Sequence, residues 1–261
     1  DLTMDRLVVS HYGHPFDEPD VRGVCGIDES TKDYTSIGRF GIGFKSVYSF
    51  TKRPEIHSGD EAFAIDTYVW PVSVAPSQRA PEQTRIVLPL ANDDADAQAE
   101  IFEGLKNLGA RTLLFLRNVN EIAWTAEHGA SGFYLRDKPT QLAQGVREIS
   151  LIGQQKGEKE VEERWLVFSK EVQSDGKSVG HVEIAFALSV HAGTDRKIEP
   201  LADSTLVVFF PTIVSTNTGF LLQGPYRTTP SRDNVPVNDA WNKYLVRATG
   251  DLLVDALRWL R

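Results

Sequence analysis

The chain has 261 residues, of which 41% are hydrophobic and 25% charged, and this length and composition predict a protein that is globular throughout, with one large or two ordinary domains. The net charge of −8 and the pI near 5.3 argue against a surface built mainly to neutralise nucleic-acid phosphates, although a local basic groove stays open. Cys25 is the only cysteine, which excludes an internal disulfide, and no run approaches about 18 apolar residues, so we expect a soluble, cytoplasmic protein in a reducing compartment.

The first elements along the chain are a short strand and a capped helix. Residues 5–10, "DRLVVS", predict the strand, and Asp17 is placed to cap a helix that ends near residue 26. The polar stretch 26–38, "GIDESTKDYTSIG", has no periodicity and predicts a loop or lid that exposes Ser, Thr and Lys side chains. From Gly41 the spacing of apolar residues predicts a second helix that ends near "TKRP".

The next stretch predicts a hairpin, a further strand and a helix, which together make a mixed sheet covered by helices. Residues 54–70 alternate in polarity around a Gly-Asp turn, and residues 84–90, "TRIVLPL", predict the further strand. Helical spacing after the acidic segment "NDDAD" predicts the helix. One face of the hairpin is expected to carry Phe63, Ile65, Thr67 and Val69.

The second half changes character near residue 117. Its apolar segments are short, rich in β-branched or aromatic residues and separated by turns, which predicts a mainly antiparallel sheet. The charged run "GQQKGEKEVEE" predicts a solvated hairpin loop, and Asp239 is placed to cap a closing helix. The apolar stripe of that helix is expected to consist of Trp241, Leu245, Ala248, Leu252, Leu253, Ala256, Leu257 and Leu260.

The glycine-rich run "GRFGIGFKS", residues 38–46, matches neither of two familiar phosphate-binding patterns. A Walker loop needs lysine directly after its last glycine, but Phe44 stands between Gly43 and Lys45. A dinucleotide fingerprint needs a third glycine, and Ser46 occupies that place. What is left is a glycine-rich turn before a helix, which can present backbone N–H groups to an anion.

Four short motifs follow one another in the first half of the chain: "HYGHP", "STK", "GRFGIGF" and "QT". Over residues 8–90 they resemble the motifs of the GHKL, or Bergerat-fold, ATPases, and most closely those of the sacsin-like branch. The resemblance implies an α+β protein: an N-terminally incomplete Bergerat-type α/β sandwich over residues 1–116, then a transducer-like or middle-like domain over residues 117–261. That second domain would be mainly antiparallel with a C-terminal helix. The implied ligands are ATP and Mg²⁺.

The resemblance also assigns nucleotide-binding roles residue by residue. Lys32 on the lid would approach the phosphates, and the glycines would take positive φ and, with the following helix, hold phosphate oxygens. Lys45 is the alternative lysine for the phosphates. The glycine-rich turn could instead serve to pack tightly against a helix. The two phenylalanines of the turn are interpreted mainly as packing residues. The implied positions are His11, Gly13, Ser30, Thr31, Lys32, Gly38, Phe40, Gly41, Gly43, Phe44 and Thr84.

Departures from the family pattern fall at the adenine site. His11 stands where the family has an aspartate, Pro15 where it has a glycine, and Gln83 where a glycine precedes the threonine. A neutral imidazole accepts through one nitrogen and donates through the other, so we expect altered adenine recognition; an ordinary turn histidine is the alternative. A zinc site at His11 and His14 is disfavoured because Cys25 is the only thiol and no carboxylate cluster is nearby, and no metal ligand is assigned.

The groups that would hydrolyse ATP have no match in this sequence. In the family, a helix before the first motif carries a general-base glutamate and a magnesium-binding asparagine, and this chain begins shortly before His11. Glu29 is the nearest candidate base, although a solvated lid carboxylate is the favoured interpretation. Because hydrolysis needs a positioned base and a metal, we expect ATPase activity only if an upstream helix supplies both.

The second half contains one candidate catalytic residue. Arg232 in "SRD" is similar to a middle-domain arginine of the heat-shock chaperone that contacts the γ-phosphate, where it would stabilise transition-state charge. Surface pairing of Arg232 with Asp233 or Asp239 is the alternative. Arg227 is a weaker candidate for the same role.

The leading interpretation is an ATP-binding module of a sacsin-like or chaperone-like ATPase, in which ATP closes the lid and couples the two domains. Its expected partner is an adenine nucleotide, and it would act as a homodimer or within a larger parent chain on an unidentified client. The alternative is a nucleotide-sensing or structural interaction module without ATP turnover, favoured by His11, Pro15 and the missing helix. A histidine-kinase-type phosphotransferase is disfavoured because no phosphoacceptor helix is apparent.

Overall fold

The structure is a computed structural model that describes residues 1–26, 43–90, 95–189, 197–229 and 233–261. Over these residues the protein is α+β, and strands outnumber helices, as the frequent β-branched segments and turn signals predict. The predicted lid and most of the glycine-rich run lie outside the described residues.

The chain divides into two compact units. Unit 1 comprises Asp1–Leu108 and Trp124–Gly132, and unit 2 comprises Gly109–Ala123 and Phe133–Arg261. Compactness does not by itself define a functional domain, so the boundary after residue 116 stays a prediction.

Unit 1 is built on a five-stranded sheet in the order β1-β5-β2-β3-β4. All four pairings between its described strands are antiparallel, so the predicted mixed sheet is wrong. Short turns join β2, β3 and β4, and such turns can connect only antiparallel neighbours. The strands are β1 Arg6–Tyr12, β2 Glu55–Ser58, β3 Glu61–Asp66, β4 Trp70–Ser73 and β5 Gln83–Pro89.

The predicted hairpin ends earlier than its alternating pattern suggests. Thr67 and Tyr68 have φ values of 48° and 72°, so they form a left-handed turn rather than a continuation of β3. Phe63 and Ile65 do share the buried face, as predicted. The placement of Thr67 and Val69 on that face is wrong, because the chain reverses there to begin β4.

Helices cover one face of the unit 1 sheet. Helix α1, Glu18–Cys25, begins with the predicted Asp17 cap, and the Asp20 side chain completes a capping box. The predicted helix after Gly41 is, in its described part, a six-residue 3₁₀ helix, Phe44–Ser49. Unit 1 also contains α2, Ala95–Lys106, and a short 3₁₀ turn, Glu127–Gly129. The apolar cluster on this face comprises Cys25, Ile56, Phe63 and Ile65, with Phe16, Val21, Val24, Phe44, Tyr48 and Ile86 packed against it.

The large sheet has ten strands among the described residues. Its path runs β14-β13-β15-β11-β10-β9-β7-β6, with β12 beside β11 and β8 beside β9. The β13/β15 pair is parallel and the other pairings with a defined register are antiparallel, which confirms a mainly antiparallel sheet. The strands are β6 Glu121–Thr125, β7 Ser131–Arg136, β8 Thr140–Ala143, β9 Val146–Gln155, β10 Val161–Ser174, β11 Lys177–Leu188, β12 Ile198–Glu199, β13 Thr205–Val208, β14 Phe210–Ser215 and β15 Leu221–Gln223.

Helix α3, Ala240–Trp259, packs on one face of this sheet, and a 3₁₀ helix, Ala110–Leu113, precedes the sheet in the chain. Asp239 caps α3 as predicted, since its side chain accepts a hydrogen bond from Asn242 N–H. The apolar stripe is only partly as predicted: Leu257 is 55% exposed, whereas the polar Asn242 is buried. The buried positions of α3 are Asn242, Leu245, Ala248, Thr249, Leu252 and Ala256.

Asn242 ties the segment before α3 to the helix. Its Oδ1 accepts from Arg227 N–H at 2.8 Å, and its Nδ2 donates to the carbonyls of Arg227 at 2.9 Å and Pro236 at 3.1 Å. Trp241 Nε1 adds a bond to the Pro225 carbonyl at 3.0 Å. Because Asn242 is buried, loss of its amide would leave the Arg227 peptide groups without these partners.

We expect Asn242→Leu to lower the free energy of unfolding by about 2 to 4 kcal/mol, because buried backbone groups lose their hydrogen-bond partners. Urea denaturation followed by circular dichroism measures this. The control is Lys243→Leu at the neighbouring exposed position, which should change stability by less than about 0.5 kcal/mol. Equal effects of the two substitutions would contradict the role assigned to Asn242.

Candidate functional site

The candidate site lies in unit 1, where strand pairing brings two of the sequence-predicted residues together. The β1/β5 register places His11 directly opposite Thr84. In an antiparallel pair, directly opposite side chains point to the same face of the sheet. The same register pairs Val9 with Ile86, which lie two residues along their strands from His11 and Thr84 and so share their face. Ile86 packs against the apolar cluster on the helix side. His11 and Thr84 therefore belong to the helix-covered face.

Ser58 extends this polar pair across the sheet to β2. Its Oγ lies 2.5 Å from Thr84 Oγ1, and it accepts a hydrogen bond from Phe16 N–H at 2.9 Å. With Phe16 donating, the Ser58 hydroxyl can donate to Thr84, which leaves the Thr84 proton available to a further acceptor. Ser58 and Thr84 are 0% and 1% exposed. They form a buried polar layer beside the exposed His11.

The turn after β1 is shaped by His14 and Pro15. His14 Nδ1 lies 2.7 Å from the Pro15 carbonyl oxygen, so this ring nitrogen carries the proton and donates to the backbone. Pro15 packs against Gly59, where a Cβ would lie 3.0 Å from the proline Cβ and where φ is 55°. At Gly13 a Cβ would lie 4.0 Å from His11 Nδ1, an ordinary contact. Pro15, which stands where the motif of the resembled ATPases has glycine, therefore packs against the turn between β2 and β3.

The described end of the glycine-rich run departs from the predictions for it. Gly43 has φ −58°, an ordinary right-handed value, so the predicted positive φ is wrong at this position. Phe44 packs against the apolar cluster of unit 1. The 3₁₀ helix that follows has only six residues, too short for the helix-dipole contribution expected there.

Lys45 is committed to the fold rather than presented to a ligand. Its Nζ donates to the carbonyls of Val24 at 2.8 Å, Cys25 at 3.1 Å and Tyr68 at 2.6 Å. Two of these acceptors belong to the last turn of α1, where a cation stabilises the exposed carbonyls. Burial lowers the pKa of the Lys45 ammonium, and the nearby Cys25 opposes that shift.

The remaining sequence-predicted residues lie outside the described part of the chain: Ser30, Thr31, Lys32, Gly38, Phe40, Gly41 and Arg232, together with Glu29. Arg227, the weaker alternative to Arg232, is described. Its Nη1 forms an ion pair with Asp239 Oδ2 at 3.1 Å, and Asp239 also caps α3. Asp239 is thus engaged in capping α3 and in pairing with Arg227.

Ser58 is the site residue that sequence reasoning missed. The sequence could have indicated it, because Ser58 is a serine at the end of the strand "EIHS", directly before the Gly-Asp turn. On the opposite face, buried His57 accepts at Nδ1 from Ser77 N–H at 3.3 Å. Burial lowers the pKa of His57, and Glu55 opposes that shift.

Within the described ranges, no group of three or more His, Cys, Asp or Glu residues could hold a metal ion. None of the described helices combines the length and the apolar character needed to cross a membrane.

Comparison with known proteins connects unit 1 to sacsin. Residues 7–99 match the Sacsin domain family, a range that includes His11, Ser58 and Thr84. The chain is 27% identical over 288 aligned positions to Protein NO VEIN of Arabidopsis thaliana, an alignment that covers 98% of this chain and 10% of the relative. A stretch of 53 residues is 42% identical to human Sacsin, covering 20% of this chain and 1% of that protein.

These similarities support a sacsin-like family. The chain spans about a tenth of the length of Protein NO VEIN, so they concern one module of much longer relatives.

We expect Lys45→Met to lower the free energy of unfolding by about 1 to 3 kcal/mol, because three carbonyls lose a charged donor. Thermal and urea denaturation measure this, with exposed Lys52→Met as the control. A Lys45→Met protein of unchanged stability but weakened phosphate binding would contradict the structural role.

Proposed function

We propose that unit 1 is an ATP-binding module of a sacsin-like GHKL ATPase, with a Bergerat-type sandwich that holds the nucleotide on the helix-covered face of its sheet. The observation that carries this proposal is the register of His11 opposite Thr84, on the face that α1 and the 3₁₀ helix Phe44–Ser49 cover. These are the two positions that the family motifs assign to adenine. The Sacsin-domain match over residues 7–99 supports the same family.

The polar row suits the edge of adenine. The exocyclic amine of adenine donates hydrogen bonds and the neighbouring ring nitrogen accepts one. A neutral His11 imidazole accepts through one nitrogen, and the Thr84 hydroxyl can donate when Ser58 donates to it. The row therefore offers an acceptor at the exposed His11 and a donor at Thr84, and because Thr84 is buried in this structure, binding of adenine would have to uncover that hydroxyl.

The rest of the proposal comes from the resemblance. Ser30, Thr31, Lys32 and the glycines of the run would hold the phosphates with Mg²⁺, and Arg232 would contact the γ-phosphate. Closure of the lid over bound ATP would couple unit 1 to unit 2 within a homodimer or a larger chain in the cytoplasm. Lys45 is not assigned to phosphate, because three backbone carbonyls occupy its ammonium.

A nucleotide-sensing or structural module without turnover is the second candidate. Two observations favour it: His11 replaces the family aspartate, and Pro15 at a family glycine position is packed against Gly59. Both make the base site differ from that of a hydrolysing relative. In its nucleotide-sensing form this candidate retains nucleotide binding without hydrolysis, and in its structural form it has neither.

The test is calorimetry of ATP and a non-hydrolysable analogue with magnesium, on the longest natural form of the protein. We expect binding of one nucleotide per chain, and we expect His11→Phe to weaken it about tenfold, because a hydrogen bond to the base is lost. The control is His14→Phe, since the His14 ring is turned to its own backbone. Absence of magnesium-dependent binding, or equal losses from both substitutions, would overturn the proposal.

Turnover separates the two candidates. If the protein is an ATPase, Lys32→Ala should weaken ATP binding, whereas Arg232→Ala should leave affinity nearly unchanged and lower the rate of phosphate release. A coupled phosphate-release assay measures the second effect. Nucleotide binding with no release above the buffer rate would select the module without turnover, and equal losses of affinity would contradict the separate roles of the two residues.

A further inference from the structure

Unit 2 contains a concave pocket of about 370 Å³ that the nucleotide proposal does not use. Its floor is formed by Arg147, Ser169, His181 and Glu183 on three neighbouring strands, and one wall by residues 114–117. The volume is at the lower end of the range of small-molecule sites, about 300 to 1,000 Å³. The pocket is therefore large enough for a compact ligand.

Strand register explains why these polar groups converge. β10 lies between β9 and β11, with Val167 opposite Arg147 and Ser169 opposite Glu183. Paired residues and residues two apart share a face, so Arg147, Ser169, Glu183 and His181 point to one side. The residues that alternate with these along the strands point to the other face of the sheet, where they pack in the apolar cluster that contains α3 residues. The pocket therefore lies on the face opposite to α3.

Arg147 and Glu183 form the ion pair of the floor. Arg147 Nη2 donates to Glu183 Oε1 at 2.6 Å, and Glu183 is buried. A buried carboxylate needs such a partner, because burial of an unpaired charge is costly. This bond uses one donor of the Arg147 guanidinium, which has five.

Arg136 holds the wall of the pocket in place. Its guanidinium donates to the carbonyls of Leu113 at 2.7 Å and Leu116, and to Asn120 Oδ1 at 2.7 Å. Its Nε is buried and has no hydrogen-bond partner among the described residues. Burial lowers the pKa of Arg136, and the nearby positive charge of Arg147 lowers it further.

Arg117 and His181 define a donor at the rim. Arg117 Nη2 lies 2.9 Å from His181 Nδ1. A guanidinium can only donate, so Nδ1 accepts and His181 is neutral with its proton on Nε2. Burial lowers the pKa of His181, as does the positive charge of Arg117. The Nε2–H group and the other Arg117 donors are then available for a ligand.

Positive charge exceeds negative charge in this pocket. Among its described lining residues, Arg117, Arg136 and Arg147 are opposed by one carboxylate, Glu183, while exposed Glu171 stands opposite His181 in the strand register. Guanidinium groups bind carboxylates and phosphates preferentially, and an anion would relieve the repulsion between them.

We propose that this pocket binds the phosphate group of a small organic phosphate. A tetrahedral oxyanion suits it because the donors come from several directions: Arg147, Ser169 and His181 from the floor and Arg117 from the wall. A planar carboxylate would use one guanidinium fork and leave the others unpaired. The apolar part of the ligand would lie against the lining residues Leu114, Phe115, Leu116 and Pro139.

The test is calorimetric or NMR titration of the full chain with inorganic phosphate, sulfate, phenyl phosphate and malonate at constant ionic strength in chloride. We expect phosphate and sulfate to bind, phenyl phosphate to bind more tightly than phosphate, and malonate to bind at least about tenfold more weakly. Tighter binding of malonate than of sulfate, or no tetrahedral anion binding above the chloride background, would overturn the proposal.

Arg117→Gln tests the site itself, because Arg117 is exposed and its loss does not leave a buried charge unpaired. We expect it to weaken sulfate binding about tenfold with an unchanged melting temperature of the unliganded protein. The control is Arg258→Gln, an equal change of charge on an exposed arginine of α3, which should leave sulfate affinity unchanged. Equal effects of the two variants would reduce the binding to general electrostatic attraction and overturn the proposal.

Sulfate affinity should also rise as pH falls from about 7.5 to 5.5, because bound sulfate favours the His181 imidazolium, whereas burial and then the charge of Arg117 lower the His181 pKa in the unliganded protein. Sulfate stays doubly charged over this range, so the dependence reports protein groups. His181 faces Arg117, Arg147, Glu171 and Glu183, and His181→Gln is the variant that assigns the effect. A pH dependence that persists in His181→Gln would contradict the assigned donor.

These outcomes are independent of the nucleotide proposal. The pocket consists of unit 2 residues alone, so His11→Phe should leave sulfate binding unchanged.

Discussion

The register of β1 against β5 is the constraint on which the candidate site of unit 1 depends. It sets His11 opposite Thr84 and continues into Val9 opposite Ile86, so one pairing fixes both a polar row and an apolar core on the same face. A slip of one residue would move His11 to the other face, because side chains alternate along a strand. The apolar residues under α1 therefore hold the polar row in register, and the proposed base site follows from packing of the core.

In both units some basic side chains donate hydrogen bonds to backbone carbonyls. Those side chains stabilise the fold, and they differ from basic side chains that keep donors for a ligand. Lys45 follows a glycine-rich run, yet its ammonium binds the end of α1 and the Tyr68 carbonyl. Arg136 does the same for residues 113–117 in unit 2. Arg117 and Arg147 keep donors that bind no described group, which is why we assign a ligand to their pocket. Sequence motifs cannot make this distinction, because it depends on which carbonyls lie within reach.

The comparisons relate this chain to much longer proteins, of which it spans a tenth or less. The similarity to Protein NO VEIN covers nearly all of this chain, whereas the Sacsin-domain match is confined to residues 7–99. The polar row of unit 1 lies inside the matched range and the basic pocket of unit 2 lies outside it. Nucleotide binding can thus be argued from family motifs together with geometry, while the oxyanion site rests on geometry and charge alone.

The sequence by itself determined the elements whose causes are local. Asp17 and Asp239 were predicted as helix caps and cap α1 and α3, because a cap needs only the next three residues. The tertiary structure decided what depends on pairing between distant segments: the left-handed turn at Thr67, the joining of Ser58 to Thr84, and the convergence of Arg117, Arg147 and His181. Spacing along a chain does not encode which strands become neighbours, so these groupings follow only from the folded sheets.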